Sequence, residues 1–220
     1  MARLLVLRPE PAASATVREA RRRGLDAIST PLFEIEPVDW VAPDAGEFDG
    51  LLLTSANAIR HAGEQLAQLR KLEVHAVGDA TAEAAGNAGF EIASRGSSGI
   101  DELLVGIDPG LRLLHLCGAD RRTPRDGSQE ITPIVVYRSK EIDAPNLPSA
   151  GSVALIHSPR AARRFAELAT GRQSIAIVAI SQAAADAVGA GWKSVTIAAE
   201  PNDDALLALA ASLCNKPDPK

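Results

Sequence analysis

Two stretches of this chain repeat one another. "LLLTSANAIRHAGEQLA" lies over "ALIHSPRAARRFAELA" with Ser55 matching Ser158, an offset of 103 residues. Farther on, "VHAVGDATAEAAGNAGFEIAS" lies over "IAIVAISQAAADAVGAGWKSVTIAA" with a one-residue slip, so that Gly89 matches Gly191. Asp101-Glu102-Leu103-Leu104 then matches Asp204-Ala205-Leu206-Leu207, again at 103. A period this long exceeds that of any solenoid repeat and reads as two copies of one domain.

Each copy alternates short aliphatic runs with Ala-rich segments whose apolar residues recur at helical spacing. That pattern predicts parallel sheets covered by helices, an α/β fold. Strands are expected near 3–7, 26–29, 49–53, 73–77, 90–93, 112–116, 152–156, 174–180 and 194–198. Helices are expected near 11–23, 56–69, 79–88, 99–106, 159–169, 182–190 and 203–213, with Gly24, Gly89 and Gly191 as stops after three of them.

Two stretches break the rhythm. "TPLFEIEPVDW" (Thr30 to Trp40) and "ITPIVVYRSKEI" (Ile131 to Ile142) are β-prone, contain Pro and flank the first repeat copy. Two crossings of this kind suit a nested arrangement. The expected division is an inserted α/β domain over residues 37–138 and a discontinuous α/β domain made of 1–36 and 139–220, with linker strands near 31–39 and 131–141. The polar, Pro-rich end "NKPDPK" is expected to fray.

The 220 residues suffice for one large domain or two small ones, so length alone does not choose between them. A net charge of -5 supplies no general field for nucleic acid or an anionic membrane, and an anionic ligand must therefore be held locally. Cys117 and Cys214 show no metal-type spacing and read as free thiols in a reducing compartment, for which the cytoplasm fits best. The apolar run before Arg8 and Pro9 is too short for a signal peptide or a membrane span, so no export is expected.

In an open parallel sheet, ligands bind beyond the carboxyl ends of the strands, where helix N-termini point unpaired amides. Thr54-Ser55 and His157-Ser158 sit at two such ends; "AVGDATA" (Ala76 to Ala82) and "AISQAAA" (Ala179 to Ala185) form two more. Gly78 permits close backbone approach, and Thr81 falls in the first helical turn. A capping role for the hydroxyls, stabilising each helix by about 1 kcal/mol, is compatible with anion binding by neighbouring amides. Two such domains facing each other would surround a large polycarboxylate without a basic surface.

These residues together resemble the uroporphyrinogen-III synthase family. The resemblance rests on an ordered set that covers nearly the whole chain: "VLRPEP...EARRRGLDAISTPLFEIEP", the paired "LTSANAI" and "IHSPRAARRF" turns, "AVGDATAEAA" followed by "AGF", "VVYR", and the closing "AISQAAADAVGAGWKSVTIAAEPNDDALLALAASL". It implies two α/β domains joined by a two-stranded antiparallel β linker. It also implies a cytoplasmic, cofactor-independent step of tetrapyrrole biosynthesis with no metal. The implied substrate is hydroxymethylbilane, a linear tetrapyrrole with eight carboxylates, cyclised with loss of water and inversion of the last ring. A monomer is expected on family grounds, with no nucleic-acid or membrane partner; transient contact with the preceding enzyme of the pathway stays open.

Such chemistry needs orientation and a weak general acid, with no nucleophile. Tyr137, the only tyrosine, occupies the family's tyrosine position in "VVYR" and is the implied proton donor, the alternative being an aromatic that only packs in the linker. By motif position, Thr54, Ser55, Asn57, Gly78 and Thr81 carry over as substrate-binding residues of the inserted domain. His157, Ser158, Arg160, Ser181 and Gln182 carry over from the other, together with Arg8, which pairs with a substrate carboxylate or is merely solvated.

Three departures stand out. The family often has Thr-Thr after the Gly of the second turn, where this chain has Ala183 and Ala184, so hydroxyl contacts there are lost. His157 replaces an apolar or small residue and is either a second acid or a packed histidine. "CGADRRTPRDGSQE" leaves 14 residues between strands (Cys117 to Glu130), too few for the usual helix, and its Arg121, Arg122 and Arg125 either close over carboxylates or stay solvated. The rival reading from another class is a cytoplasmic two-lobed binding or sensor protein. A nucleotide enzyme is disfavoured, since no G-x-G-x-x-G or P-loop pattern follows a strand.

Overall fold

The computed structural model describes residues 2–97, 99–121, 123–125, 128–147 and 151–214. In chain order these form β1 (Arg3–Val6), α1 (Ala12–Arg22), β2 (Ala27–Ser29), β3 (Phe33–Pro37), β4 (Gly50–Leu53), α2 (Ala56–His61), β5 (Val74–Val77), α3 (Asp79–Asn87), β6 (Ile92–Gly96), α4 (Ile100–Val105), β7 (Arg112–Gly118), β8 (Glu130–Glu141), β9 (Ser152–Ile156), α5 (Pro159–Leu168), β10 (Ala176–Ala179), α6 (Gln182–Val188), β11 (Ser194–Ile197) and α7 (Asp203–Cys214). The expected segment 215–220 lies outside the described residues, as does Arg122.

The chain divides into two compact units, one of Met1–Glu34 with Glu141–Lys220, the other of Ile35–Lys140. The first holds a parallel sheet in the order β11-β10-β9-β1-β2. The second is built on the order β3-β8-β7-β4-β5-β6, parallel from β8 through β6. The sequence explains why: β4 and β9 are buried along their whole length, and a strand covered on both faces must be apolar at every position. Leu51 and Leu53 pack in one core cluster with Phe90 and Leu116, while Leu52 packs in another with Leu103, Leu104 and Leu113, the period of two that a pleated strand imposes.

The repeat is visible in the strand orders. β4, β5 and β6 correspond to β9, β10 and β11, and β1-β2 take the places that β7-β8 occupy in the second unit. The connections differ, however. β1 reaches β2 through α1, whereas among the described residues between β7 and β8 there is no helix. That connection is stitched to α4 instead: Arg125 N donates to Asp101 Oδ1 at 2.9 Å, and the buried Gln129 Nε2 donates to the carbonyls of Leu104 and Ile107, each at 2.9 Å.

One expected helix is shorter than its sequence pattern. The run 56–69 is helical only to His61, because Gly63 adopts φ 64°, a left-handed conformation that ends an α-helix; Gly63–Leu69 continues as tight 3-10 turns. The indole of Trp40 donates to the carbonyl of Ala62 at 2.8 Å and satisfies one of the acceptors thus released. At the sheet edge, Val38 N donates to Val136 O at 3.0 Å, and Glu36 pairs with Arg138 and Lys140, each at 3.0 Å. Cys117 and Cys214 are free and buried. Among the described residues no helix is long and apolar enough to cross a membrane.

Candidate active site

In the second unit the aliphatic run of β4 stops at Leu53, and the two hydroxyl residues that follow take separate duties. Ser55 is extended, φ -157°, and its Oγ accepts from Asn57 N at 3.2 Å, capping α2. Accepting that bond leaves the hydroxyl proton of Ser55 available to the Tyr137 phenol, whose pKa Ser55 acts to lower. Thr54 Oγ1 lies 3.1 Å from Nε2 of His115, a histidine of β7 that is 2% exposed. Burial holds the His115 imidazole down to about 4, with the Arg121 charge adding to the effect, so the ring is neutral at neutral pH.

Tyr137 enters from β8. Its cross-strand neighbour on β7 is Gly118, and the register shifts between Cys117 and Gly118, an irregularity that re-aims the strand end. Thr54, Ser55 and Tyr137 line a pocket of about 290 Å³ together with Gly118, Asp120 and Arg121, with Val77, Gly99 and Ile100 on the apolar side. Burial raises the Tyr137 phenol above its ordinary 10; the Ser55 hydrogen bond pulls it down, and Cys117 and Asp120 push it up again. The phenol is therefore protonated at neutral pH.

The other residues expected in this unit stand outside the pocket lining. Asn57 Oδ1 accepts from Arg60 Nη1 at 3.3 Å. Gly78 has φ 82°, a conformation that favours glycine, and its N–H is already donated to Gly96 O at 2.8 Å. Thr81 is buried in the first turn of α3. Of the arginines expected to close over carboxylates, Arg121 lines the pocket, and Arg125 is tied to Asp101 through its backbone.

In the first unit the corresponding corners are capped and clasped. Ser158 Oγ accepts from Ala161 N at 3.1 Å, and Ser181 Oγ from Ala184 N at 3.3 Å. Gln182 Nε2 donates to Asp186 Oδ1 at 2.7 Å along α6, and the Arg160 guanidinium lies 4.4 Å over the Phe33 ring. Arg8, its side chain 31% exposed, is already paired: its Nη1 donates to both oxygens of Asp203 at 3.0 and 2.9 Å, and Thr16 Oγ1 donates to Asp203 Oδ2 at 2.7 Å. His157 Nε2 stands 3.3 Å from Asp203 Oδ1, an ion-pair separation without hydrogen-bond alignment. Burial would raise the Asp203 carboxyl, but its neighbours His157, Thr16 and Arg8 outweigh that and hold it well below the usual carboxylate range.

The repeat offset places His157 where the second unit has Thr54. The same strand-end corner thus lines a pocket in one copy and carries a hydrogen-bonded network around Asp203 in the other. His115, Gly118, Asp120, Val77, Gly99 and Ile100 were not singled out from sequence. The strand-end rule, applied to "LCGAD" after β7 as it was to "LTSAN" after β4, would have found Gly118 and Asp120. His115 sits inside a buried run with no such signal.

The comparisons with known proteins agree with one another. The family profile described as Uroporphyrinogen-III synthase HemD matches residues 14–208. A uroporphyrinogen-III synthase of Chlorobaculum parvum is 35% identical over 92 residues, a stretch covering 38% of this chain and 37% of that relative's length. The uroporphyrinogen-III synthetase structure from Helicobacter pylori superposes with a TM-score of 0.70 at 18% identity, covering 97% of this chain and 100% of the other. A mutant uroporphyrinogen III synthase from Thermus thermophilus superposes at 0.53 with 17% identity, covering 98% and 100%. At these identities the two structures speak for the fold.

Proposed function

The chain belongs to the uroporphyrinogen-III synthase family, and from that premise we propose that it cyclises hydroxymethylbilane to uroporphyrinogen III. The observation that carries the reading is the seat of its one tyrosine: Tyr137 lines a pocket at the strand ends together with Ser55, its phenol protonated at neutral pH. In this reading the Tyr137 phenol gives its proton to the departing hydroxyl, which leaves as water while the carbon–oxygen bond breaks. The last pyrrole attacks the resulting electrophile through its substituted carbon; the bond from that carbon to its original bridge then breaks, and the freed bridge carbon is recaptured at the ring's unsubstituted carbon, which inverts the ring. The proton released as the ring regains aromaticity restores the phenol, so the cycle balances without a metal or an external oxidant. Ser55 steadies the transient phenolate by donating to it.

The substrate's carboxylates need local partners, since the chain is acidic overall. Arg121 supplies one in the pocket, and the Thr54 hydroxyl, oriented by His115, supplies a neutral one. Asn57, Gly78, Thr81, Ser158, Arg160, Ser181 and Gln182 remain proposed contributors at the corners of their own units, Gly78 through close backbone approach rather than through its N–H, which Gly96 O already accepts. Arg8 and His157 are proposed in a different capacity, as the clasp of Asp203. The β3 and β8 strands are proposed as the two-stranded linker, the protein as a cytoplasmic monomer, and the polycarboxylate as its only stable partner.

The test is direct. Hydroxymethylbilane is supplied to the protein and the product isomers are separated. Isomer III in excess of the spontaneous isomer I supports the synthase; isomer I alone, with tight binding of the linear tetrapyrrole, supports the two-lobed binder instead.

A further inference from the structure

We infer that Gly118 is a positioning residue of the site: by carrying no side chain opposite Tyr137, it lets the phenol ring lie against the β7 backbone, which fixes where the hydroxyl meets the pocket. The inference rests on the proposed role of Tyr137 for its catalytic meaning, but its geometry stands alone.

A Cβ built on Gly118 would fall 2.7 Å from Cε2 and from Cζ of Tyr137 and 3.0 Å from its hydroxyl oxygen. Carbon atoms in contact stand about 3.5 to 4.0 Å apart, so any side chain here would displace the phenol end of the ring. The glycine is not explained by its backbone, because Gly118 is absent from the glycines with positive φ. An alanine would suit the strand, and the three nearest atoms that it would meet all belong to the Tyr137 phenol. The two residues are cross-strand partners next to the register shift, and Ala119 N donates to Tyr137 O at 2.9 Å, so the backbone of Tyr137 is pinned while its ring is seated.

An aromatic ring laid over a glycine on the neighbouring strand also stabilises a sheet, whatever its hydroxyl does. Position separates the two roles. The ring's polar end, where Cζ carries the oxygen, is what overlies Gly118, and both residues line the pocket with Ser55. A ring that served packing alone would gain nothing from having its hydroxyl end held there.

Tyr137 is the only tyrosine of the chain, so absorbance titration of the phenol reads this one residue in the whole protein. In Gly118→Ala the phenol is expected to titrate at lower pH than in the parent, back toward its ordinary 10, because a ring pushed off its seat is better hydrated. Cyclisation is expected to fall about tenfold in the parent background and by less than twofold when Tyr137→Phe is already present, as follows when the lost step is orientation of one hydroxyl. If Gly118→Ala weakens the fold, its melting temperature is compared in the parent and in Tyr137→Ala: a loss confined to the parent supports the clash with the ring. An unchanged phenol titration, or an equal melting loss in both backgrounds, overturns the inference. Absence of any cyclisation by the parent would instead remove the proposed function, leaving the titration and melting results to judge Gly118.

Discussion

Ser55 Oγ accepts a hydrogen bond from Asn57 N at 3.2 Å and lines the same pocket as Tyr137, whose phenol pKa it lowers, so a single hydroxyl both starts a helix and tunes the phenol beside it. The capping duty and the chemical duty use different parts of the same group: its lone pair and its proton. Thr54, the other hydroxyl at the end of this buried strand, is engaged separately, by His115.

Ser55→Ala removes both duties. The cap is worth about 1 kcal/mol, so the melting temperature should drop by a few degrees. The Tyr137 phenol should titrate at still higher pH, because the contact that lowers its pKa is gone while burial remains. Cyclisation should fall by about tenfold, in keeping with one lost hydrogen bond to a charged oxygen. Absorbance titration and single-turnover rates check the two effects; a phenol titration identical to the parent's would separate Ser55 from Tyr137.

His115 makes the second unit sensitive to acid. Its folded pKa, about 4, lies below the ordinary 6.5, so the neutral ring stabilises the fold above pH 6.5 and that contribution is lost as pH falls from 6.5 toward 4. The span corresponds to about 3 kcal/mol. The urea midpoint of the parent should decline through this window, and that of His115→Asn should decline much less. Parallel profiles for the two proteins would show that His115 is not the group being charged.

Asp203 organises the corresponding corner of the first unit. Arg8, Thr16 and His157 converge on it, and its depressed pKa means that the contribution it makes above the ordinary carboxylate pKa is lost as pH falls through that depressed value. Asp203→Asn should cost about 1 to 2 kcal/mol in denaturant unfolding, a figure reduced for the partial exposure of the carboxylate. If Arg8 and His157 serve as this clasp, the KM for hydroxymethylbilane should change less than twofold in Asp203→Asn. A large fall in KM would show instead that Asp203 had been competing with substrate carboxylates for Arg8.

Much of the fold is legible in the sequence because buried parallel strands must be continuously apolar, and the runs at Leu51–Leu53 and Val153–Ile156 have no other reading. The breaks in pattern were legible for the same reason: Ser55, Ser158 and Ser181 all cap the helices expected to follow them. The end of α2 was not, because Gly63 is an ordinary glycine in sequence and declares itself only by its left-handed φ. Nor was the partner of Arg8, which lies 195 residues away at the start of α7. Side chains at distant points of a chain meet according to topology, and local pattern carries no record of it. Gly118 and His115 belong to this class: one matters through the ring it admits, the other through a hydroxyl on the adjacent strand.

The central claim is that Tyr137 in its pocket turns a linear tetrapyrrole into one particular ring isomer. The measurement that tests it most directly is the ratio of isomer III to isomer I formed from hydroxymethylbilane by the parent protein and by Tyr137→Phe, with circular dichroism verifying that both are folded. Nearly all isomer III is expected from the parent and, from the variant, turnover lowered by at least about tenfold with isomer I rising as spontaneous closure overtakes it. A variant that makes isomer III at the parent's rate would contradict the claim.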